Sequence, residues 1–422
     1  MNVLIFQTGE PLQIDGDNSR PMRAINLSNY LLKKGHSVHL VSTRFYHQKK
    51  IHRQPYDSEI SSEFKTTLID SPGYSRNISF ARLFDHFILA INVNKFLKNL
   101  IGSKPDIIFV GYPPIESAYV FSKYCNKHEI PLVLDVKDQW PDYFLSAIPS
   151  SIHFFGRILL APYFYLASYS FLRADLLISM SKSYLSWIKR LTYIGSDSSK
   201  HFLEAPLTRE NPSISFAYYN MSLWWSKCGV DISKKNCISF VGTLSRAFDF
   251  SVVRYLAEKS LANHLDIIFV ICGDGEESAN VKKVMAGLSN VVFPGWIGEE
   301  KILSLMHSTI LTLAPYKSQP NFSDNIPNKI IDSLSYGKPI LTGLVGEVSE
   351  LVSLNKVGLI WGEDLEIFYK EFDKLILNRQ LLNTYSENAR MLYKTRFSYD
   401  LVYSNICNAM ENVVAAGKRS KD

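Results

Sequence analysis

The apolar runs of this chain keep a rhythm, and the rhythm occurs twice. VLIF at Val3–Phe6, SVHLVS at Ser37–Ser42, DIIFV at Asp106–Val110, LVLDV at Leu132–Val136 and LLIS at Leu176–Ser179 are short and β-branched. Helix-patterned segments at 22–34, 83–100 and 116–128 separate them. Continuously apolar strands belong to sheets buried on both faces, which requires parallel strands joined by helical crossovers. After a polar, proline-containing stretch from about Gly195 to Asn236, read as a linker, the rhythm restarts with CISFVG, DIIFVICG, NVVFPG and TILTLAP. At 422 residues the chain is also longer than single cores usually grow, about 250–300 residues. The expected fold is therefore α/β, with two Rossmann-like, doubly wound parallel-sheet domains facing a central cleft at their strand carboxyl ends. The first domain is expected over residues 1–204, joined by a C-terminal helix at 395–416, and the second over 205–394.

The net charge of +6, from 46 basic and 40 acidic residues, is too mild to imply nucleic acid. It suits an anionic ligand or membrane surface. Cys125, Cys228, Cys237, Cys272 and Cys407 are widely spaced and odd in number, the pattern of reduced thiols rather than of a disulfide frame or zinc site. MNVLIFQTGE lacks a basic region before its apolar run and reads as a first strand, not a secretory signal. Residues 152–172, IHFFGRILLAPYFYLASYSFL, approach bilayer length, but Arg157 and Pro162 interrupt them. That segment is expected to be an apolar helix, packed at the core or lying at a membrane surface. The expected location is cytoplasmic, with peripheral contact at the inner face of the plasma membrane.

Chemistry concentrates in NFSDNIPNKIIDSLSYGKPI, Asn321–Ile340. A helix is expected to open on Pro327, with Ile326, Ile330 and Leu334 as its apolar stripe, and to stop at Gly337 and Pro339. Lys329 lies in the first turn, where the helix dipole favours anions. Either a bound phosphate resolves that conflict or the lysine is an ill-placed surface residue; both readings fit the stretch by itself. Glycines recur at strand-to-loop junctions (Gly9 and Gly16, Gly242, Gly273 and Gly275, Gly295), where backbone can approach a ligand. No G-x-G-x-x-G or Walker lysine motif is present. Asp15-Gly16-Asp17 could hold a divalent cation, although such pairs arise by chance in polar loops. Asp135-Val-Lys-Asp138-Gln-Trp-Pro141 places acids and a lysine after a buried strand, and Arg20 and Arg23 could face an anion.

PNKIIDSLSYGKPIL with Asp324 before it, FVGTL, FVICGDGE and LDVKDQWPD together resemble the family-4 glycosyltransferases over nearly the whole chain. The last piece is similar to a D-x-R-D-x-W-P signature of enzymes that build bacterial O-antigen and other surface polysaccharides. The resemblance implies the GT-B architecture and retaining transfer from a nucleotide-diphosphate sugar, most readily a UDP-sugar, to a glycan or polyprenyl-linked acceptor. It implies no cofactor beyond that co-substrate and no metal. The family's E-x7-E pair maps onto Asp324 and Asp332, each shorter by a methylene, and a family histidine maps onto Lys137 beside Asp138. The implied catalytic residues are thus Lys137, Asp138 and Asp324. The implied donor contacts are Gly16, Thr243, Arg246, Gly273, Trp296, Ile297, Asn328, Lys329 and Asp332, with backbone near Trp296–Ile297 reading the base. Arg20 and Arg23 fall on the acceptor side. The Asp-for-Glu changes keep open a non-catalytic nucleotide-sugar binder, and the same fold also serves sugar-nucleotide epimerases.

Overall fold

The computed structural model describes residues 1–15, 21–54, 57–61, 63–77, 79–100, 104–145, 148–194, 200–208, 210, 218–317 and 325–419. The chain forms two compact units, Met1–Arg209 with Val402–Asp422, and Glu210–Leu401. Each contains a parallel sheet, the fold that the strand–helix rhythm predicts.

In the first unit the strands are β1 (Asn2–Phe6), β2 (Ser37–Thr43), the short hairpin pair β3 (Phe45–Tyr46) and β4 (Ile51–His52), β5 (Asp57–Ser61) and β6 (Phe64–Ile69). They continue with β7 (Ile107–Tyr112), β8 (Leu132–Val136), β9 (Leu176–Ser179) and β10 (His201–Glu204). The sheet order is β10-β9-β8-β7-β1-β2-β6-β5, parallel except for β5 at one edge. Leu4 and Phe6 enter one core while Val3 and Ile5, pointing the other way, are buried as completely, so both faces of the sheet are covered. Helices α1 (Arg23–Lys33), α2 (Phe80–Lys98), α3 (Ile115–His128), α4 (Asp142–Leu145), α5 (His153–Leu159), α6 (Ala161–Arg173) and α7 (Lys182–Thr192) complete the crossovers. The C-terminal helix Tyr399–Arg419 returns to this unit: Tyr403 packs against Tyr30 and its hydroxyl donates to the Thr208 carbonyl at 3.1 Å.

Two expectations need correction here. Residues 152–172 are not one helix. The chain breaks at Leu160, because Pro162 offers no N–H and its ring would crowd the carbonyl four residues earlier. Helix α5 consequently has no buried residue, whereas α6 packs on α3. No helix among the described residues is long and apolar enough to cross a membrane. Nor is 195–236 wholly a linker: β10 extends the first sheet, and α8 (Tyr218–Lys227) buries Trp225 in the second unit, its indole N–H donating to Ser304 at 2.8 Å.

The second unit carries β11 (Cys237–Val241), β12 (Ile268–Cys272), β13 (Val291–Gly295), β14 (Thr309–Ala314), β15 (Ile340–Thr342) and β16 (Gly358–Ile360), ordered β13-β12-β11-β14-β15-β16. Its helices include α9 (Ser251–Ala262), α10 (Ser278–Val284), α11 (Glu299–Ser308) and α12 (Asn328–Ser335). Strand order reverses between β11 and β14, as it does between β1 and β7 in the first unit. At such switch points the following loops diverge and leave a crevice. All five cysteines are free.

Candidate functional site

At the switch point of the second unit, main chain crowds against main chain. Beyond their strands, β11 and β12 keep pairing: Gly242 N–H donates to the Cys272 carbonyl at 2.9 Å and Leu244 N–H to Asp274 at 3.0 Å. A Cβ on Gly273 (φ +141°) would stand 1.8 Å from the Gly242 carbonyl oxygen, and one on Gly275 (φ +156°) 2.3 Å from that of Leu244. Only glycine fits there, by space and by backbone conformation.

Gly242 (φ +153°) is glycine for a different reason: its missing Cβ would lie 1.9 Å from Lys329 Nζ. Helix α12 begins at Asn328, one residue later than expected, with Pro327 as its extended N-cap. Ile330, Ile331 and Leu334 fix the helix to its core, and this aims Lys329 back over the end of β11. Its ammonium donates to the Val241 carbonyl and sits 4.1 Å from the centre of the Phe240 ring and 5.4 Å from that of Phe248. Lys329 is therefore a positioned cation at a helix N-terminus, not an ill-placed surface lysine. Asp332 is half-buried one turn on, and after burial its charge is the next cause pushing up the Tyr316 hydroxyl.

Thr243 and Asn328 are exposed at the same strand and helix ends. Trp296 is 62% exposed after β13, while the Ile297 side chain is core, leaving its backbone for any contact. Arg246 is set apart. Its side chain is 80% exposed and lies 3.9 Å from Glu276 and 3.5 Å from Glu277. Gly16, Arg20 and Asp324 lie outside the described residues, as does Asp17 of the D-x-D pair. Asp15 is already taken, both its carboxylate oxygens meeting Arg53 at 2.7 Å.

The first unit has a cavity of about 210 Å³ at its own switch point, walled by the ends of β1, β7 and β8 and by α2. Lys137 and Asp138 line it. Lys137 pairs with Glu10 and reaches Gln7 Oε1 at 2.8 Å and Asp135 at 3.5 Å. Arg23 does not join them, which corrects its expected acceptor role. It is fully buried, 3.3 Å from Asp135, donates to the Ala205 carbonyl and stacks under Tyr403. Its charge is spent inside the unit.

The cavity also gathers residues that sequence reading missed: His47, Tyr74, Arg82, Asp85 and His86. The two histidines are displaced in titration. Burial, with Lys50 and Arg82 adding, lowers His47 to about 4, and burial with Arg82 and His47 lowers His86 to about 3. His47 Nδ1 is 2.6 Å from the Tyr74 hydroxyl and 3.1 Å from Lys50 Nζ; an ammonium only donates, so that nitrogen accepts and the ring is neutral. Asp138, open to the cavity yet crowded, is pushed up to about 6 by loss of hydration against the pull of Arg82 and Lys137. Glu116, 3.9 Å from His86 behind the wall, is pushed up to about 7 by burial, with its own backbone N–H and the Tyr163 hydroxyl pulling back. His47, His86 and Asp138 thus share one concavity, with Glu116 behind its wall.

Residues 229–392, within the second unit, match the family model described as glycosyl transferases group 1. Solved structures resemble the chain over almost its full length. Sucrose-phosphate synthase from Thermosynechococcus elongatus superposes with a TM-score of 0.69 at 14% identity, covering 98% of this chain and 99% of that one. HepE from Anabaena, solved with UDP and glucose, gives 0.60 at 14% identity over 98% and 100% of the chains. WaaG, a glycosyltransferase involved in lipopolysaccharide biosynthesis, gives 0.60 at 16% identity over 96% and 98%. The fold is that of the GT-B glycosyltransferases. No curated protein sequence gives a significant match.

Proposed function

We propose that the protein transfers a sugar from a nucleotide-diphosphate donor, a UDP-sugar, to a lipid-linked or growing glycan in surface polysaccharide (O-antigen or capsule) assembly. The observation that carries the reading is Lys329, seated over glycine backbone at the N-terminus of α12 within the matched domain. A diphosphate placed there meets an ammonium at the positive end of a helix, in a recess where no Cβ intrudes. HepE, of the same fold, was solved with UDP-glucose, which supports the choice of nucleotide.

Breaking the glycosidic C–O bond adds one negative charge to the terminal phosphate of the nucleotide and leaves positive charge on the sugar. Lys329 and the helix dipole stabilise the former as it forms, so the chain supplies its own counter-charge for a leaving group that is already acidic. Asp332, half-buried a turn further on, faces the ribose side. Retention of configuration follows when the departing phosphate takes the acceptor proton. Asp138 and the neutral histidines of the first unit orient the acceptor hydroxyls.

Calorimetry with UDP on wild type and Lys329→Ala tests the reading. A drop in affinity above tenfold is expected, since a charge-assisted bond to phosphate contributes on the order of 1.5–3 kcal/mol. Equal binding by both proteins, or none by wild type, overturns the donor assignment. Turnover on a donor panel then separates acceptor-dependent transfer from donor isomerisation or binding alone.

A further inference from the structure

The first unit also carries a groove that the transfer chemistry does not use. It runs along the outside of α3, between α2 and α6, and encloses about 1130 Å³. Phe87 and Ile91 from α2, Val120 and Tyr124 from α3, and Leu166 and Tyr169 from α6 line it. At the end where α2 and α3 terminate, Lys98, Lys104, Lys123 and Lys127 surround its opening, with His128 beside them. The one carboxylate in the lining, Glu116, is at the opposite end, on the first turn of α3.

The surroundings are as apolar as the lining. Phe80, Phe84, Phe87 and Ile91 repeat at helical spacing along one face of α2 and are 90%, 58%, 56% and 40% exposed. Helix α5, which leads into α6, exposes Phe154, Phe155, Ile158 and Leu159 by 58% or more. Soluble monomers seldom leave large apolar patches in water, and the α2 stripe is one. Lysines at helix C-termini alone have an ordinary explanation in the helix dipole. Four of them around the mouth of an apolar trough have a better one. An occupant must be a long hydrocarbon chain ending in a negative charge, and commitment to the bilayer follows from the exposed aromatics on both flanks.

We infer that the α2–α3–α6 face docks on an anionic phospholipid leaflet, with one acyl chain in the groove and its phosphate against Lys98, Lys104, Lys123 and Lys127. The inference stands on residues other than those of the donor site, so the two can fail separately. The test is co-sedimentation of the full chain with phosphatidylcholine vesicles with and without phosphatidylglycerol. Wild type pellets only with the anionic vesicles, and high salt weakens it. The fourfold Lys→Glu variant and Phe84→Ser/Phe87→Ser each lose at least tenfold in partitioning while keeping the wild-type circular dichroism spectrum and a cooperative thermal transition, which shows that they fold. A phospholipid with a photoreactive acyl chain labels peptides of α2, α3 and α6. Absence of wild-type binding, undiminished binding by the lysine variant, or labelling confined to α5 overturns the inference.

Discussion

The two units use the same strand-order reversal to build different kinds of site. In the second unit, the crevice is made of backbone: three glycines, two strand ends and one helix terminus, with Lys329 planted among them. In the first, it is made of side chains, with Arg82, Asp85, His86, His47 and Asp138 converging from a helix and separate loops. The former suits a ligand of fixed geometry, a diphosphate. The latter suits a ligand whose hydroxyls must be sorted and whose identity varies. A backbone site is sensitive to bulk, and a side-chain site to protonation. Each can be broken in its own way.

Bulk comes first, because its effect is largest. Gly273→Ala puts a methyl carbon 1.8 Å from the Gly242 carbonyl oxygen at φ +141°, with nothing flexible to yield. A destabilisation on the order of 3 kcal/mol or more is expected, with loss of UDP binding. Gly9→Ala, after β1 at φ +77°, meets nothing within 4 Å and should cost only about 1 kcal/mol for its backbone. Thermal unfolding of both variants measures the contrast. Similar shifts would mean that the close approach of β11 and β12 is not what requires glycine.

Protonation sharpens the other half. Folding raises Glu116 from 4.5 to about 7 and Asp138 from 3.8 to about 6, so both bind protons more tightly in the native state. Stability contributed this way is present at low pH and is lost as pH rises through the folded values. Folding lowers His86 from 6.5 to about 3 and His47 from 6.5 to about 4, and these act oppositely: stability is lost as pH falls below 6.5. Between about pH 4.5 and 6.5 the pairs offset one another. Glu116→Gln removes one side. At pH 8, where wild type holds a buried charged carboxylate and the variant does not, the variant should be more stable than wild type by on the order of 2–3 kcal/mol. Below pH 6 it should lose stability more steeply than wild type. Parallel melting-temperature profiles across pH 4.5–8 would remove Glu116 from the cluster.

What could be read from the sequence follows the same division. The second unit's site is carried by local features, glycines at strand ends and a cation in a first helical turn, and both are visible as spacing. Lys329 was legible for that reason. His86 and Asp85 sit in the middle of α2 among apolar residues, and His47 in a hairpin, and nothing local distinguishes them from satisfied core or surface groups. They become a site only when the sheet order brings β1, β7 and α2 together. Arg23 shows the reverse error. A cation beside a polar loop looked available, but its partner Asp135 is 112 positions away along the chain, beyond any local pattern. Pro162 interrupts the apolar segment, yet its consequence, a separate α5 with no buried residue, depended on which side of the break found a core.

Arg246 offers the smallest effect and the finest test. It and Lys329 were expected to share the diphosphate, but they are held differently. Lys329 is fixed by a carbonyl and an aromatic face. The Arg246 guanidinium is 80% exposed, with Glu276 and Glu277 near. Exposed pairs of this kind contribute about 0.2–1 kcal/mol, so Arg246→Ala should leave the melting temperature almost unchanged. A long side chain must also be ordered before it meets phosphate, at a cost of about 0.5–1.5 kcal/mol that cancels much of its attraction. UDP affinity should therefore fall less than tenfold in Arg246→Ala, and less than in Lys329→Ala. Salt should erase the Arg246 contribution first, since an exposed charge is screened more than a seated one. The reverse ranking would mean that the arginine swings in to take the leaving group, and that the lysine only props open the glycine recess.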